Sequence, residues 1–83
     1  MLSFLDSAFK EYRQWETDDN KIFQKINTLI IEIMRDPFHG TGKPEPLKRD
    51  WTGYWSRRIT AEHRLVYKVL KDQIVIASCK FHY

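Results

Sequence analysis

Glu45 lies between two prolines in the segment G-K-P-E-P-L-K (42–48), and the sequence closes on His82 and Tyr83. Each proline fixes its own φ, so less entropy is lost in holding the Glu45 carboxylate in one place. Between these points come Arg57, Arg58, Arg64 and Lys80. A carboxylate, an imidazole and a set of cations are the groups from which acid/base work at a phosphate can be built. A strand running into His82 and Tyr83 would hold an imidazole and a phenol in place. Pattern alone leaves a second reading standing: Glu45 as an exposed acidic loop residue, and the cations as a charged face kept for solubility.

These groups act together only if the surrounding elements bring them to one surface. Residues 2–5 suit a short strand, and Asp6 or Ser7 is placed to cap a helix with Phe9, Tyr12 and Trp15 at three-residue spacing. Residues 17–20 interrupt it and are rich in N-capping side chains. A second helix follows, with Ile22, Ile26, Leu29, Ile30 and Ile33 forming one apolar stripe, and Pro37 stops it. The pair predicts an antiparallel helical hairpin that supplies the core.

Residues 37–46 contain Pro37, Gly40, Gly42, Pro44 and Pro46 among polar residues and read as a loop. Period-2 stretches follow at 54–59, 63–70 and 73–81, with Lys71-Asp72 turning the last two into a hairpin. The order β, α, α, loop, β, β, β predicts a single α+β domain over residues 1–83, two helices packed on a mainly antiparallel sheet.

Alternation sorts the strands into faces. On the third stretch Leu65, Tyr67 and Val69 oppose Arg64, Val66, Lys68 and Leu70. On the last, Val75, Ala77, Cys79, Phe81 and Tyr83 are expected on the core side. That sends Ile74, Ile76, Ser78, Lys80 and His82 to the other side, joined there by Arg64 and by Arg57 or Arg58. A basic face with a histidine at its rim suits phosphate.

Charge distribution points the same way. Residues 1–36 carry five basic and seven acidic side chains, net −2, and residues 37–83 carry nine and four, net +5. Basic charge gathered on one half suits a polyanion or an acidic protein. No apolar run approaches the roughly 18 residues that span a membrane, and no basic-then-apolar leader opens the chain. Cys79 is the only cysteine, so no intrachain disulfide forms, as suits a reducing cytoplasm. It reads as a small core residue. His39, His63, His82 and Cys79 show no metal-ligand spacing, and no Gly-rich phosphate loop follows a strand.

Four ordered segments carry a resemblance: G-K-P-E-P-L-K (42–48), G-Y-W-S-R-R-I-T (53–60), E-H-R-L-V-Y (62–67) and C-K-F-H-Y (79–83). With D-P-F-H-G (36–40), the helix of Tyr12 and Trp15 and nearly the whole chain besides, they resemble the Txe/YoeB toxins of the RelE superfamily. The resemblance implies a compact βααβββ ribonuclease-like fold and a metal-free endoribonuclease without cofactors that cuts mRNA in the ribosomal A site. It further implies a cytoplasmic toxin, inhibited by a YefM-type antitoxin, commonly dimeric, and bound to operator DNA only through that antitoxin.

Carried over onto matching positions, Glu45 is the general base, His82 the general acid and Arg64 the phosphate-stabilising arginine. Arg58 and Lys48 are supporting cations, and Tyr83 is the terminal aromatic. Such chemistry takes the 2′-hydroxyl proton, neutralises the phosphorane and protonates the leaving 5′-oxygen. It yields a 2′,3′-cyclic phosphate, and DNA, lacking the 2′-hydroxyl, is spared. Where the family often reads C-R-Y-H-Y, this chain has Lys80 and Phe81, losing one guanidinium fork and one phenol. A non-catalytic module that holds RNA, ribosome or an acidic partner, and a degenerate toxin kept for antitoxin binding, are the competing readings.

Overall fold

The computed structural model describes residues 1–81; the expected acid His82 and its neighbour Tyr83 lie outside them. The chain runs β1 (Leu2–Phe4), α1 (Asp6–Asp18), α2 (Asn20–Arg35), β2 (Glu45–Pro46), a 3-10 turn (Arg49–Trp51), β3 (Tyr54–Arg58), β4 (Arg64–Leu70) and β5 (Gln73–Ser78). The five strands form one sheet in the order β1-β5-β4-β3-β2, with β1 parallel to β5 and the other neighbours antiparallel. This is the α+β arrangement expected, with one strand more.

Local chemistry explains the element ends. The Asp19 carboxylate accepts the amides of Lys21 and Ile22 and so caps α2. Helix α1 has no such cap: its boundary residue is Leu5, and neither Asp6 nor Ser7 serves. Helix α2 stops at Arg35 because Asp36 turns extended ahead of Pro37. Only Asp19 separates the helices, and the chain doubles back there. The Tyr12 hydroxyl donates to Asn27 Oδ1 at 2.7 Å, and the rings of Tyr12 and Phe23 lie 4.8 Å apart.

The stripe of α2 (Ile26, Leu29, Ile30, Ile33) and Ala8 and Trp15 of α1 bury against Leu65, Tyr67, Ile74 and Ile76 of the sheet. Burial of each large side chain contributes about 1.5–3 kcal/mol. The helices therefore cover one face of the sheet, and the opposite face is left for other work.

One expectation is corrected. Ile74 and Ile76 face the core, whereas Val75 and Ala77 are only partly buried. The reason is a bulge: Tyr67 faces Ile76 and Val66 faces Ser78, so Ala77 has no partner in the ladder. An extra residue reverses the alternation. Cys79 therefore returns to the core, as expected of it, while burial pushes its thiol up to about 12. Strand β5 ends at Ser78, three residues short of the expected stretch.

The bulge sets a test. Ile76→Ala should lower the unfolding free energy in urea by about 2–5 kcal/mol, and Val75→Ala by about 1 kcal/mol or less. Equal losses would place the phase of β5 wrongly.

Candidate active site

Directly paired residues of neighbouring strands share a face, so the register defines the surface away from the helices. Its central row is Glu45 of β2, Ser56 of β3, Val66 of β4 and Ser78 of β5. On one side of that row Arg58 stands opposite Arg64, and on the other Tyr54 stands opposite Lys68. Small residues between long basic ones make a trough. Ser56 and Val66 form its buried floor, and Glu45 and Arg58 are exposed at its margin.

Glu45 belongs to a strand where the sequence predicts a loop. Two prolines obscured it, but an edge strand tolerates proline because its outward N–H is not needed. Here β2 is the edge, tied to β3 through Leu47, whose amide donates to the Tyr54 carbonyl at 2.9 Å. Among the described residues no hydrogen bond or ion pair occupies the Glu45 carboxylate. Lys48, exposed, follows at the start of the 3-10 turn.

Arg64 is fixed through Nη1, which donates to the carbonyls of Thr60, Ala61 and His63 at 2.7, 3.2 and 3.1 Å. Among the described residues Nε and Nη2 have no partner, which leaves the bidentate edge of the fork for an anion.

Arg57 is not part of this surface. The alternation that sends Arg58 outward turns Arg57 inward, and it is fully buried. Its Nε donates to the Tyr67 hydroxyl at 3.1 Å, Nη2 to the carbonyls of Asp36 and His39 at 2.7 and 3.0 Å, and Nη1 to the Thr41 carbonyl at 3.3 Å. The Glu32 carboxylate lies 3.5 Å from Nη1, and the Tyr67 hydroxyl donates in turn to the Pro37 carbonyl at 2.7 Å. The expected contact of Arg57 with phosphate is therefore replaced by a structural brace. It pins the loop after α2, just upstream of Glu45.

Two glycines serve that brace. At Gly40 (φ +135) a Cβ would come within 2.7 Å of Arg57 Nη1, and at Gly42 (φ +84) within 3.1 Å of the Arg58 carbonyl. Gly42 also accepts the Arg58 amide at 2.6 Å, so the loop runs alongside β3 before β2 begins.

Lys80 departs from expectation as well. It lies beyond the end of β5, and its ammonium sits 5.6 Å from the ring centres of Trp15 and Phe81, not in the row with Arg64. The segment around it is tied down: the Cys79 amide donates to Glu11 at 2.9 Å, and Trp15 Nε1 donates to the Cys79 carbonyl at 2.9 Å. Among the described residues no group of His, Cys, Asp and Glu gathers in a metal-binding cluster, and no helix is long and apolar enough to cross a membrane.

A family profile described as the YoeB-like toxin of bacterial type II toxin–antitoxin systems matches residues 4–83. The chain belongs to that family. The toxin YoeB of Streptomyces coelicolor is 51% identical over 99% of this chain and 98% of its own length. Among solved structures, a YoeB–YefM complex from Staphylococcus aureus matches with 48% identity and a TM-score of 0.92 over 100% of this chain and 97% of that one. A YoeB dimer from the same organism matches with 49% identity and a TM-score of 0.91 over 99% and 95%. The toxin family assigned from four sequence motifs is thus the family found.

The sequence placed Val66 on the face of Arg64 without marking it as a floor, passed over Ser56, and weighed His63 only as a metal ligand. The pairing of Arg57 with Arg58 was the signal for the brace: adjacent residues in a strand point to opposite faces.

The brace carries two expectations. Arg57→Lys keeps the charge but loses the planar fork, and should cost about 3 kcal/mol or more in urea unfolding, since carbonyls are left orphaned. The Thr41 amide and hydroxyl, with Arg57 beyond them, hold the Glu32 carboxyl below its ordinary value of 4.5. Its contribution to stability is therefore complete above that value and lost as pH falls through the lower folded one. The melting-temperature gap between wild type and Glu32→Gln should close as pH drops from 6 to about 3. A constant gap would contradict the linkage.

Proposed function

We propose that this chain is the toxin of a type II toxin–antitoxin pair and acts by cutting mRNA in the ribosomal A site. The observation that carries the reading is the register, which gathers Glu45, Arg58 and Arg64 on one face of three adjacent strands. Strands lie about 4.8 Å apart, so two such steps separate the rows of Glu45 and Arg64. Their side chains are long enough to close on a phosphodiester laid along the trough.

The roles follow from reach and charge. Glu45 takes the 2′-hydroxyl proton, and the freed 2′-oxygen attacks the adjacent phosphorus. The open edge of Arg64, with Arg58 and Lys48, neutralises the charge that gathers on the phosphorane. His82, next but two to the anchored Cys79, protonates the departing 5′-oxygen, and Tyr83 lines the site. A 2′,3′-cyclic phosphate and a 5′-hydroxyl result, with no cofactor or metal in the scheme. Arg58 and Arg64, paired across β3 and β4, repel each other until an anion lies between them.

The partner inferred is a YefM-like antitoxin, as in the Staphylococcus aureus complex, and operator DNA is met only through it. A homodimer is inferred from the Staphylococcus aureus dimer. Residues 1–83 act as one domain, in the cytoplasm where ribosomes are.

Primer extension on a message translated by purified ribosomes tests the proposal. The wild-type protein should leave discrete A-site breaks. Glu45→Gln and His82→Gln should each reduce them by about 100-fold or more, with folding intact by circular dichroism. Stalling without breaks would identify a non-catalytic binder instead, and full cutting by both variants would remove the acid/base assignment.

A further inference from the structure

Phe81 leads directly into His82, and its backbone is held in an unfavourable conformation. Its φ is +59, a left-handed value that costs a residue with a Cβ roughly 1–3 kcal/mol unless neighbours enforce it. The enforcing contacts lie on both sides of the residue. The Phe81 amide donates to His63 Nδ1 at 2.8 Å, and the Phe81 carbonyl accepts the Arg64 amide at 3.0 Å. The His63 and Phe81 rings lie 5.2 Å apart.

His63 is itself immobilised. Its carbonyl accepts the amides of Ile59 and Thr60 at 3.0 and 3.2 Å, and its own amide donates to Thr60 Oγ1 at 3.0 Å. Its buried ring stands edge-on to Trp15 at 4.8 Å. An imidazole nitrogen that accepts carries no proton, so the ring proton belongs on Nε2, 3.5 Å from Glu62 Oε1. A second proton on the ring would set N–H against N–H at Phe81.

We propose that His63 is a positioning residue: its neutral imidazole accepts the Phe81 amide and thereby sets the direction in which the chain delivers His82 to the phosphate. This rests on the acid role given to His82 above. His63 does not meet the reacting atoms; it acts through the backbone of the residue before the acid.

Substitution separates the acceptor from the ring. In His63→Asn the side-chain oxygen replaces Nδ1 as acceptor. In His63→Leu the acceptor is gone. The full-length protein should be followed first by NMR, without ribosomes. The Phe81 amide proton should lie downfield and exchange slowly in wild type and His63→Asn, and should lose both marks of a hydrogen-bonded amide in His63→Leu.

In the ribosome assay, His63→Leu should lower kcat by about 10- to 100-fold, as a misplaced reacting group does, with KM changed less than about twofold. His63→Asn should restore kcat to within about threefold. If His63→Leu fails to fold, His63→Gln replaces it, since its amide reaches the Nε2 position and leaves the Phe81 amide unpaired. A Phe81 resonance indifferent to His63 would overturn the proposal. So would a folded Leu or Gln variant with wild-type kcat, or a loss confined to KM. Should the wild-type protein cut nothing, the proposed reaction falls, and the NMR coupling alone decides whether His63 holds the peptide before His82.

Discussion

A guanidinium buried with no exposed surface has to find acceptors or the fold does not form. Arg57 finds them in the Tyr67 hydroxyl, the carbonyls of Asp36, His39 and Thr41, and the Glu32 carboxylate. Taking a charge out of water costs several kcal/mol, and each hydrogen bond to a charged group recovers about 1.5–3 kcal/mol. Few bonds would leave the balance unfavourable; a full set reverses it. The brace therefore demands that α2 end where it does, that the loop turn back over Arg57, and that glycine stand at 40 and 42. Period-2 geometry does the rest. With Arg57 inward, Ser56 and Arg58 must face outward, and Glu45, paired with Ser56, faces outward with them.

The bulge in β5 is the second constraint. Without Ala77 as an unpaired residue, Ser78 would point into the core and Cys79 away from it. With it, Ile74 and Ile76 pack under the helices, Ser78 joins the outer row, and Cys79 still returns to the interior. There Glu11 and Trp15 of α1 take its amide and carbonyl. The helices thus do more than cover the sheet: α1 fixes the segment that runs toward the proposed acid.

Much of this was legible in the sequence, and what was not has physical reasons. Helix α2 showed itself because its stripe repeats over three turns with a carboxylate cap before it. Strand β4 showed itself because its inner face, Leu65, Tyr67 and Val69, is apolar, and β3 because its residues alternate with a period of two. Strand β2 did not, because two residues give no period and prolines usually break sheets. The phase of β5 was inverted because a bulge leaves no local mark. The larger side chains of Ile74 and Ile76, against Val75 and Ala77, were the one cue to the buried face. Glu45 and Arg64 were singled out through motif and chemistry together, whereas Arg57 and Arg58 stood as alternatives for one face until the strand register divided the pair.

The outer face accepts an electrostatic penalty that the inner face does not. Inside, every charge of Arg57 is answered by protein. Outside, Arg58 and Arg64 stand opposite each other, and Arg64 spends Nη1 on the carbonyls of the β3–β4 turn, which holds the fork in place. Like charges directly across a ladder destabilise it. A site that must bind a phosphate and then favour a more highly charged transition state gains from cations already in position, because none has to be reoriented as charge builds. In the proposed reaction that repulsion is relieved by the phosphate. The stability for holding that arrangement comes from the other side of the same strand, where Arg57 is satisfied.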